Sequence, residues 1–152
     1  MTVITSPTNP TIKHVSALLT HHRTRKKSGQ TVIEGVHLLD AYFKQGLSAH
    51  KLLVSQSAVS HHEVLPLLSH ARHKDVIVIA DTLYKQIRTL GDGVDVMAVI
   101  DIPRPKLSTI STDCLILDGI QDTGNAGTLL RTASAVGITT IITTPNTCLL
   151  YT

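Results

Sequence analysis

Short apolar runs alternate with amphipathic stretches through the first hundred residues. The runs of strand length, rich in Val, Ile and Leu, occupy residues 31–33, 51–55, 76–80 and 96–101. Helical spacing of apolar positions predicts helices over residues 10–29, from the end of the first strand to about 44, 57–73 and 81–90. Such alternation predicts an α/β fold whose central sheet is covered by helices on both faces.

Local residue types indicate where two of these helices begin or break. Asn9 followed by Pro10 is typical of a helix start, because the amide caps the helix and proline suits its first turn. Pro66 is a candidate break in the helix predicted over 57–73. The strand at 31–33 delivers Glu34 and Gly35 to its carboxyl end.

The pattern changes after residue 101. Prolines and flanking bases at 102–106 fit no periodic element, and we place a linker at 102–110 between a domain at 1–101 and a unit at 111–152. The second unit is predicted to hold a strand at 114–117, a helix that starts near Asn125 and closes at Gly137, and a strand at 138–143. This βαβ element is too small to be a complete domain, since both faces of a parallel sheet need cover.

Composition narrows the class of protein. Aromatic residues make up only 3% of the 152 residues and Trp is absent, so the core must be built from aliphatic side chains. Cys114 and Cys148 share no motif spacing and are expected to be free thiols. No apolar segment has the length of a membrane span, so we expect a cytoplasmic protein without a membrane partner.

Basic residues are concentrated near the start of the chain. The first 30 residues hold five basic and no acidic side chains, and four of the five are Arg23, Arg25, Lys26 and Lys27. This cluster is the footprint expected for binding a phosphate backbone. It is equally typical of a solvated helix end whose cations oppose the helix dipole.

The polar loop after residue 117 is the strongest candidate for chemistry. It lacks the lysine of a Walker loop and the three glycines of a dinucleotide fingerprint. Its distinguishing residues are Asn125, which can cap the following helix, Gly127, which permits close backbone approach, and Arg131, one to two turns further on. Arginine at that position can reach a phosphate or a sugar hydroxyl.

Other catalytic chemistries have little support. The nine histidines all precede Lys74, and only His70 and His73 have helical contact spacing, without a carboxylate or thiolate to complete a metal site. No Gly-x-Ser-x-Gly elbow or activated cysteine is present. We therefore expect neither a metal centre nor a hydrolase.

The stretch LDGIQDTGNAGTLLRTASAVG resembles the first motif of the SpoU (TrmH-type) RNA ribose 2′-O-methyltransferases, a branch of the knotted SPOUT superfamily. NPTIKHVSALLTHHRTRKKSGQTVIEG is similar to the opening of that family's substrate-binding domain. The resemblance implies a small ribosomal-protein-like α/β/α domain that binds RNA. The first βαβ unit of a knotted methyltransferase domain would follow it.

Roles for particular residues also follow from the resemblance. It implies that Asn125 and Arg131 are the active-site positions and that S-adenosylmethionine is the methyl donor. It also implies that the RNA is ribosomal or transfer RNA and that the complete protein is a homodimer. RNA-binding and loop-shaping roles fall on two further sets of residues: Arg23, Arg25, Lys26, Lys27, Glu34 and Gly35 for RNA, and Gly124 and Gly127 for the loop.

The chain also departs from the family pattern. Thr123 stands where the family usually has proline, and residues 145–152 do not resemble the family's continuation. We therefore expect a truncated product, a fragment or an incomplete sequence that lacks most of the cofactor pocket and is inactive alone. Two alternatives are a non-catalytic RNA-binding module and a small-nucleotide-binding protein that uses the loop's N–H groups.

Overall fold

A computed structural model describes residues 3–71, 75–103, 109–144 and 146–147, which group into two units, 1–102 and 103–152. The first unit holds a five-stranded sheet, with strands β1 (Val3–Ile4), β2 (Gln30–Glu34), β3 (Lys51–Ser55), β4 (Val76–Ile79) and β5 (Val96–Asp101). The spatial order is β1-β4-β3-β5-β2. Strand β4 is parallel to β1 and β3, whereas β5 is antiparallel to β3 and β2.

Helices cover this sheet on both faces. They are α1 (Pro10–Thr20), α2 (His22–Ser28), α3 (Val36–Lys44), α4 (Val64–Leu68) and α5 (Asp81–Ile87). Side chains of α3 and α4 join one hydrophobic cluster, and side chains of α1 and α5 join the other. The predicted mixed α/β fold is confirmed, and the four strands predicted from apolar runs are present within one residue of their expected bounds. The two-residue strand β1 is too short to give a sequence pattern.

Strand β5 contributes to both clusters. Val96, Ala98 and Ile100 pack in the cluster under α3 and α4, whereas Met97 and Val99 pack in the cluster under α1 and α5. All five are buried, as expected for successive side chains that point to opposite faces of a fully covered strand.

The single helix predicted over residues 10–29 was wrong, because two helices occupy that segment. Asn9 caps α1 as predicted, and its side chain accepts a hydrogen bond from the Thr11 N–H at 2.9 Å. His21 is extended and ends α1. One guanidinium nitrogen of Arg25 donates to the carbonyl of Leu18 at 2.8 Å, and so satisfies an acceptor at the end of α1 that has no helical partner.

The helix predicted over 57–73 was also too long. Within residues 57–71 only Val64–Leu68 is helical, and His73 lies outside the described residues. The N–H and hydroxyl of Ser57 both donate to the Asp81 carboxylate at 2.9 Å, which holds residue 57 in a turn and lowers the pKa of Asp81. Pro66 does not break α4, because it lies in the first turn, where a missing N–H costs no helical hydrogen bond.

Glu34 ties the end of β2 to the segment that follows α5. Its carboxylate oxygen Oε2 accepts from the N–H and the hydroxyl of Thr89, at 3.0 and 2.8 Å, and from the N–H of Leu90 at 3.2 Å. Nearby, Arg88 and Asp95 form a largely buried ion pair at 3.1 Å. The predicted helix over 81–90 therefore stops at Ile87, since the next residues are held by Glu34 instead.

The described residues of the second unit form two parallel strands and one helix. Strands β6 (Cys114–Leu117) and β7 (Thr140–Thr143) pair in register from Cys114 opposite Thr140 to Leu117 opposite Thr143. Helix α6 (Thr123–Ala135) connects them. The predicted strand–helix–strand order is confirmed, but α6 begins two residues before Asn125.

Replacing Glu34 should destabilise the first unit locally. Glu34→Ala removes the shared acceptor of three exposed donors, which can bind water instead, so it is expected to cost about 0.5–1.5 kcal/mol, and Glu34→Gln, which keeps an acceptor oxygen, should cost less. Amide hydrogen exchange at Thr89 and Leu90 should accelerate in both variants. Asp40→Ala, which breaks only an exposed ion pair with Lys44, is the control. Unchanged exchange at Thr89 and Leu90 in Glu34→Ala would show that the carboxylate does not hold this segment.

Candidate functional site

The loop between β6 and α6 carries the candidate site of the second unit. Gly119 has φ +64°, a left-handed conformation that glycine adopts without strain, and it turns the chain out of β6. Asp122 is the N-cap of α6, and its carboxylate accepts from the Asn125 N–H at 2.7 Å. The expectation that Asn125 caps the helix was wrong, because Asp122 does so three residues earlier. The side-chain amide of Asn125 makes no hydrogen bond to another described residue.

Asn125 and Arg131 are both exposed on α6. The Arg131 guanidinium donates to the Thr128 hydroxyl at 3.1 Å, and that hydroxyl donates to the Gly124 carbonyl at 3.0 Å. These two hydrogen bonds hold the arginine side chain against the first turns of the helix. They leave most of the guanidinium donors available to an external phosphate or hydroxyl.

The two glycines predicted to shape the loop lie beside these side chains. A Cβ atom at Gly127 would lie 3.2 Å from Nη1 of Arg131, and one at Gly124 would lie 3.1 Å from the Asp122 carboxylate. Both distances are shorter than ordinary carbon contacts. The absence of side chains at these positions therefore lets the arginine and the capping aspartate approach the helix closely.

A second set of polar residues joins the loops that follow β6 and β7, and sequence reasoning missed it. The Thr144 hydroxyl donates to Asp118 at 2.7 Å, and the buried Thr147 hydroxyl donates to the Leu117 carbonyl at 2.7 Å. The Gln121 side-chain amide donates to the Asn146 carbonyl. Hydroxyl and turn-forming residues directly after a predicted strand were the available signal.

The basic cluster forms helix α2 in the first unit. Arg23, Lys26 and Lys27 are exposed there, whereas Arg25 is half-buried and bonded to the end of α1. Three of the four cations are thus presented to solvent on one short helix. The fourth holds that helix to its neighbour.

Glu34 and Gly35 lie at the opposite end of β2 from α2. Gly35 has φ +94° and is the N-cap of α3, so glycine is required there by the backbone. Glu34 is engaged with Thr89 and Leu90, as described above. These two residues and α2 belong to the first unit, and Asn125 and Arg131 belong to the second.

No group of three histidine, cysteine, aspartate or glutamate side chains in the described ranges could hold a metal ion. Cys114 is a free thiol, and Cys148 lies outside those ranges. A membrane-spanning helix is absent from the described part of the chain, where every helix is too short or too polar.

Two named relatives align with most of the chain. A protein of Synechocystis sp., named as an uncharacterized tRNA/rRNA methyltransferase, is 33% identical over 146 residues, which are 89% of this chain and 50% of the relative. The 23S rRNA (guanosine(2553)-2′-O)-methyltransferase RlmP of Bacillus subtilis is 25% identical over 142 residues, which are 93% of this chain and 54% of that enzyme. The chain thus spans about half the length of these relatives.

A solved structure shows the same fold. The SpoU methyltransferase AviRb of Streptomyces viridochromogenes, in complex with the cofactor AdoMet, superposes with a TM-score of 0.78 at 22% identity, over 94% of this chain and 56% of that one. Residues 9–98 match the family of MRM3-like substrate-binding domains. The resemblance to SpoU RNA methyltransferases that the sequence motifs carry is confirmed, and the chain belongs to the family of proteins with an MRM3-like substrate-binding domain.

Proposed function

We propose that this chain supplies the RNA-binding domain and the opening catalytic element of a ribose 2′-O-methyltransferase that acts on ribosomal or transfer RNA. The observation that carries the proposal is the start of α6, where an exposed arginine is oriented by Thr128 beside a glycine. The names of the two relatives support RNA as the substrate class. We further propose that the complete protein is a homodimer, as the family resemblance of its motifs implies, and that it is cytoplasmic.

Arg131 has the chemistry that ribose methylation requires. A ribose hydroxyl is a weak nucleophile, and a fixed positive charge beside it stabilises the alkoxide that forms when the hydroxyl loses its proton to solvent, which makes that oxygen a stronger nucleophile. The guanidinium can also bind an adjacent phosphate through two parallel hydrogen bonds, which positions the nucleotide. Asn125, exposed on the same helix six residues earlier, offers an amide donor and acceptor to the substrate.

Helix α2 supplies the non-specific part of RNA binding. Arg23, Lys26 and Lys27 are exposed on α2, and no ion pair with another described residue occupies them. Such cations neutralise backbone phosphates and release counterions, without reading the sequence. Arg25 supports this surface by fixing α2 against α1.

S-adenosylmethionine is the proposed methyl donor of the complete enzyme, but the described residues do not fit it. Asp118, Thr144 and Thr147 are already hydrogen-bonded within the second unit. Asn125 and Arg131 are exposed on a helix surface and do not enclose a purine. No step through the cofactor therefore follows from these residues.

Calorimetric titration tests whether this chain binds S-adenosylmethionine. S-adenosylmethionine injected into the 152-residue chain should give no micromolar binding, because the described side chains around Asn125 and Arg131 in the second unit form no enclosed site for it. S-adenosylhomocysteine serves as a second probe without the sulfonium charge. Micromolar affinity for either compound would show that this chain holds a working cofactor pocket.

RNA binding should depend steeply on salt. Lys26→Ala combined with Lys27→Ala should weaken binding of tRNA and of a short rRNA transcript alike, and should reduce the slope of log K against log salt by roughly 2, about 1 for each phosphate contact. Fluorescence anisotropy across a salt series measures both. Lys44→Ala is the matched control, since Lys44 is also exposed but is paired with Asp40. An unchanged slope in the double variant would remove α2 from the RNA interface.

The role of Arg131 is tested in a chain extended to the length of its relatives. Arg131→Ala should lower kcat by roughly 10²–10³-fold with a smaller effect on KM for RNA, because the charge acts on the reacting oxygen. Arg131→Lys should recover only part of the rate, since it keeps the charge but loses the planar fork. Thr132→Ala, at the exposed neighbouring residue, should leave the rate unchanged. A rate within threefold of wild type in Arg131→Ala would exclude this role.

A further inference from the structure

A cavity of about 450 Å³ opens in the first unit where β2 ends and α3 begins. This volume lies within the range of small-ligand sites. Its walls come from residues 34–38, from Glu63, and from the segment between Arg88 and Asp95 that Glu34 holds in place. No residue of the candidate site on α6 and no cation of α2 contributes to it.

Carboxylates outnumber cations in the cavity wall. The charged residues that line it are Glu34, Glu63, Asp92, Asp95 and Arg88. Arg88 is paired with Asp95, so it neutralises that carboxylate only. Asp92 is exposed and has no ion pair with another described residue. The wall therefore repels phosphate and accepts hydrogen bonds from a ligand that carries N–H donors.

The start of α3 adds donors to the same wall. Its N-cap is Gly35, which has no side chain with which to cap the helix, and the first intrahelical N–H bond is that of Leu39 to the Gly35 carbonyl. The N–H groups of Val36, His37 and Leu38 thus lack intrahelical acceptors, and all three residues line the cavity. Donors next to carboxylate acceptors suit a neutral ligand with a mixed polar edge, and suit neither a phosphate nor a simple cation.

Two leucines at the cavity give it an apolar surface. Leu38 and Leu90 are 52% and 54% exposed, which is high for leucines that flank a concave site. A ligand with a flat apolar face that packs against these leucines removes apolar surface from water, which favours binding. The ligand should therefore be planar, with apolar faces and a polar edge.

We propose that the cavity binds an unstacked nucleobase of the RNA substrate and favours bases that carry an exocyclic amino group. Leu38 and Leu90 cover the faces of the base, while the carboxylates accept from its amino group and the α3 N–H groups donate to its ring nitrogen or carbonyl. The proposal rests on the proposed RNA-binding function. Strand β2 separates α2 from the cavity by roughly 13 Å, or about four stacked nucleotides, so one single strand can meet both.

Nucleosides test the cavity without the phosphate backbone. In amide NMR spectra of the wild-type chain, millimolar adenosine, cytidine or guanosine should shift the signals of residues 35–38 and 90–93, and uridine should shift them less. Leu90→Ala should abolish these shifts. Leu47→Ala, which removes a leucine that is 48% exposed and does not line the cavity, should preserve them. Spermidine is the cationic probe.

RNA binding provides the second measurement. Asp92→Asn and Leu90→Ala should each weaken binding of a mixed-sequence single-stranded RNA by about tenfold, without changing its salt slope. The matched controls Asp113→Asn and Leu47→Ala should bind as wild type does. The pattern differs from that of the α2 variants, which change the slope.

The outcomes separate the two proposals. Nucleoside shifts at the cavity without RNA binding would reject the proposed function and retain the cavity as a base site. RNA binding with a steep salt slope, but with neither nucleoside shifts nor an effect of the cavity variants, would reject the cavity proposal alone. Shifts caused by spermidine and by no nucleoside would also reject it and identify a cation site.

Discussion

Strand β5 is buried on both faces and hydrogen-bonded along both edges, and the first unit depends on this arrangement. Because its side chains alternate between two clusters of different shape, a slip of one residue would place Met97 where Ala98 packs. The register with β2 sets Glu34 opposite Met97 and brings the Gly35 N–H to the Val96 carbonyl at 2.9 Å. The point where β2 gives way to α3 is thereby fixed by the core.

Residues of opposite charge lie beyond the two ends of β2, and the fixed position of that strand sets where they lie. Helix α2 presents cations immediately before it, and carboxylates gather immediately after it. An anionic polymer is attracted to the first end and kept from inserting its backbone at the second. Under the two proposals above, a nucleic acid would bind with its phosphates toward α2 and its base edges toward the cavity.

Elements defined by apolar runs could be predicted from the sequence, whereas those ended by tertiary contacts could not. The observed helix boundaries differ from the predicted ones where Arg25 bonds to the end of α1 and where Asp81 holds residue 57. Neither contact produces a local sequence pattern. Arg131 could be identified as a candidate site residue from its sequence motif. Thr144 could not, because its role depends on the pairing of β6 with β7. The residues that line the cavity lie between positions 34 and 95, and no sequence motif with fixed spacing connects positions so far apart.

Gly127 lowers the stability of α6 but allows Arg131 to lie close to the helix. Glycine within a helix is less favourable than alanine by about 1 kcal/mol, so a chain selected for stability alone would carry alanine at 127. An alanine Cβ there would lie 3.2 Å from the guanidinium and would move it by a few tenths of an ångström. Because the arginine is flexible, that change would leave the fold intact. Selection at residue 127 would therefore act on where a charge sits rather than on whether the helix forms.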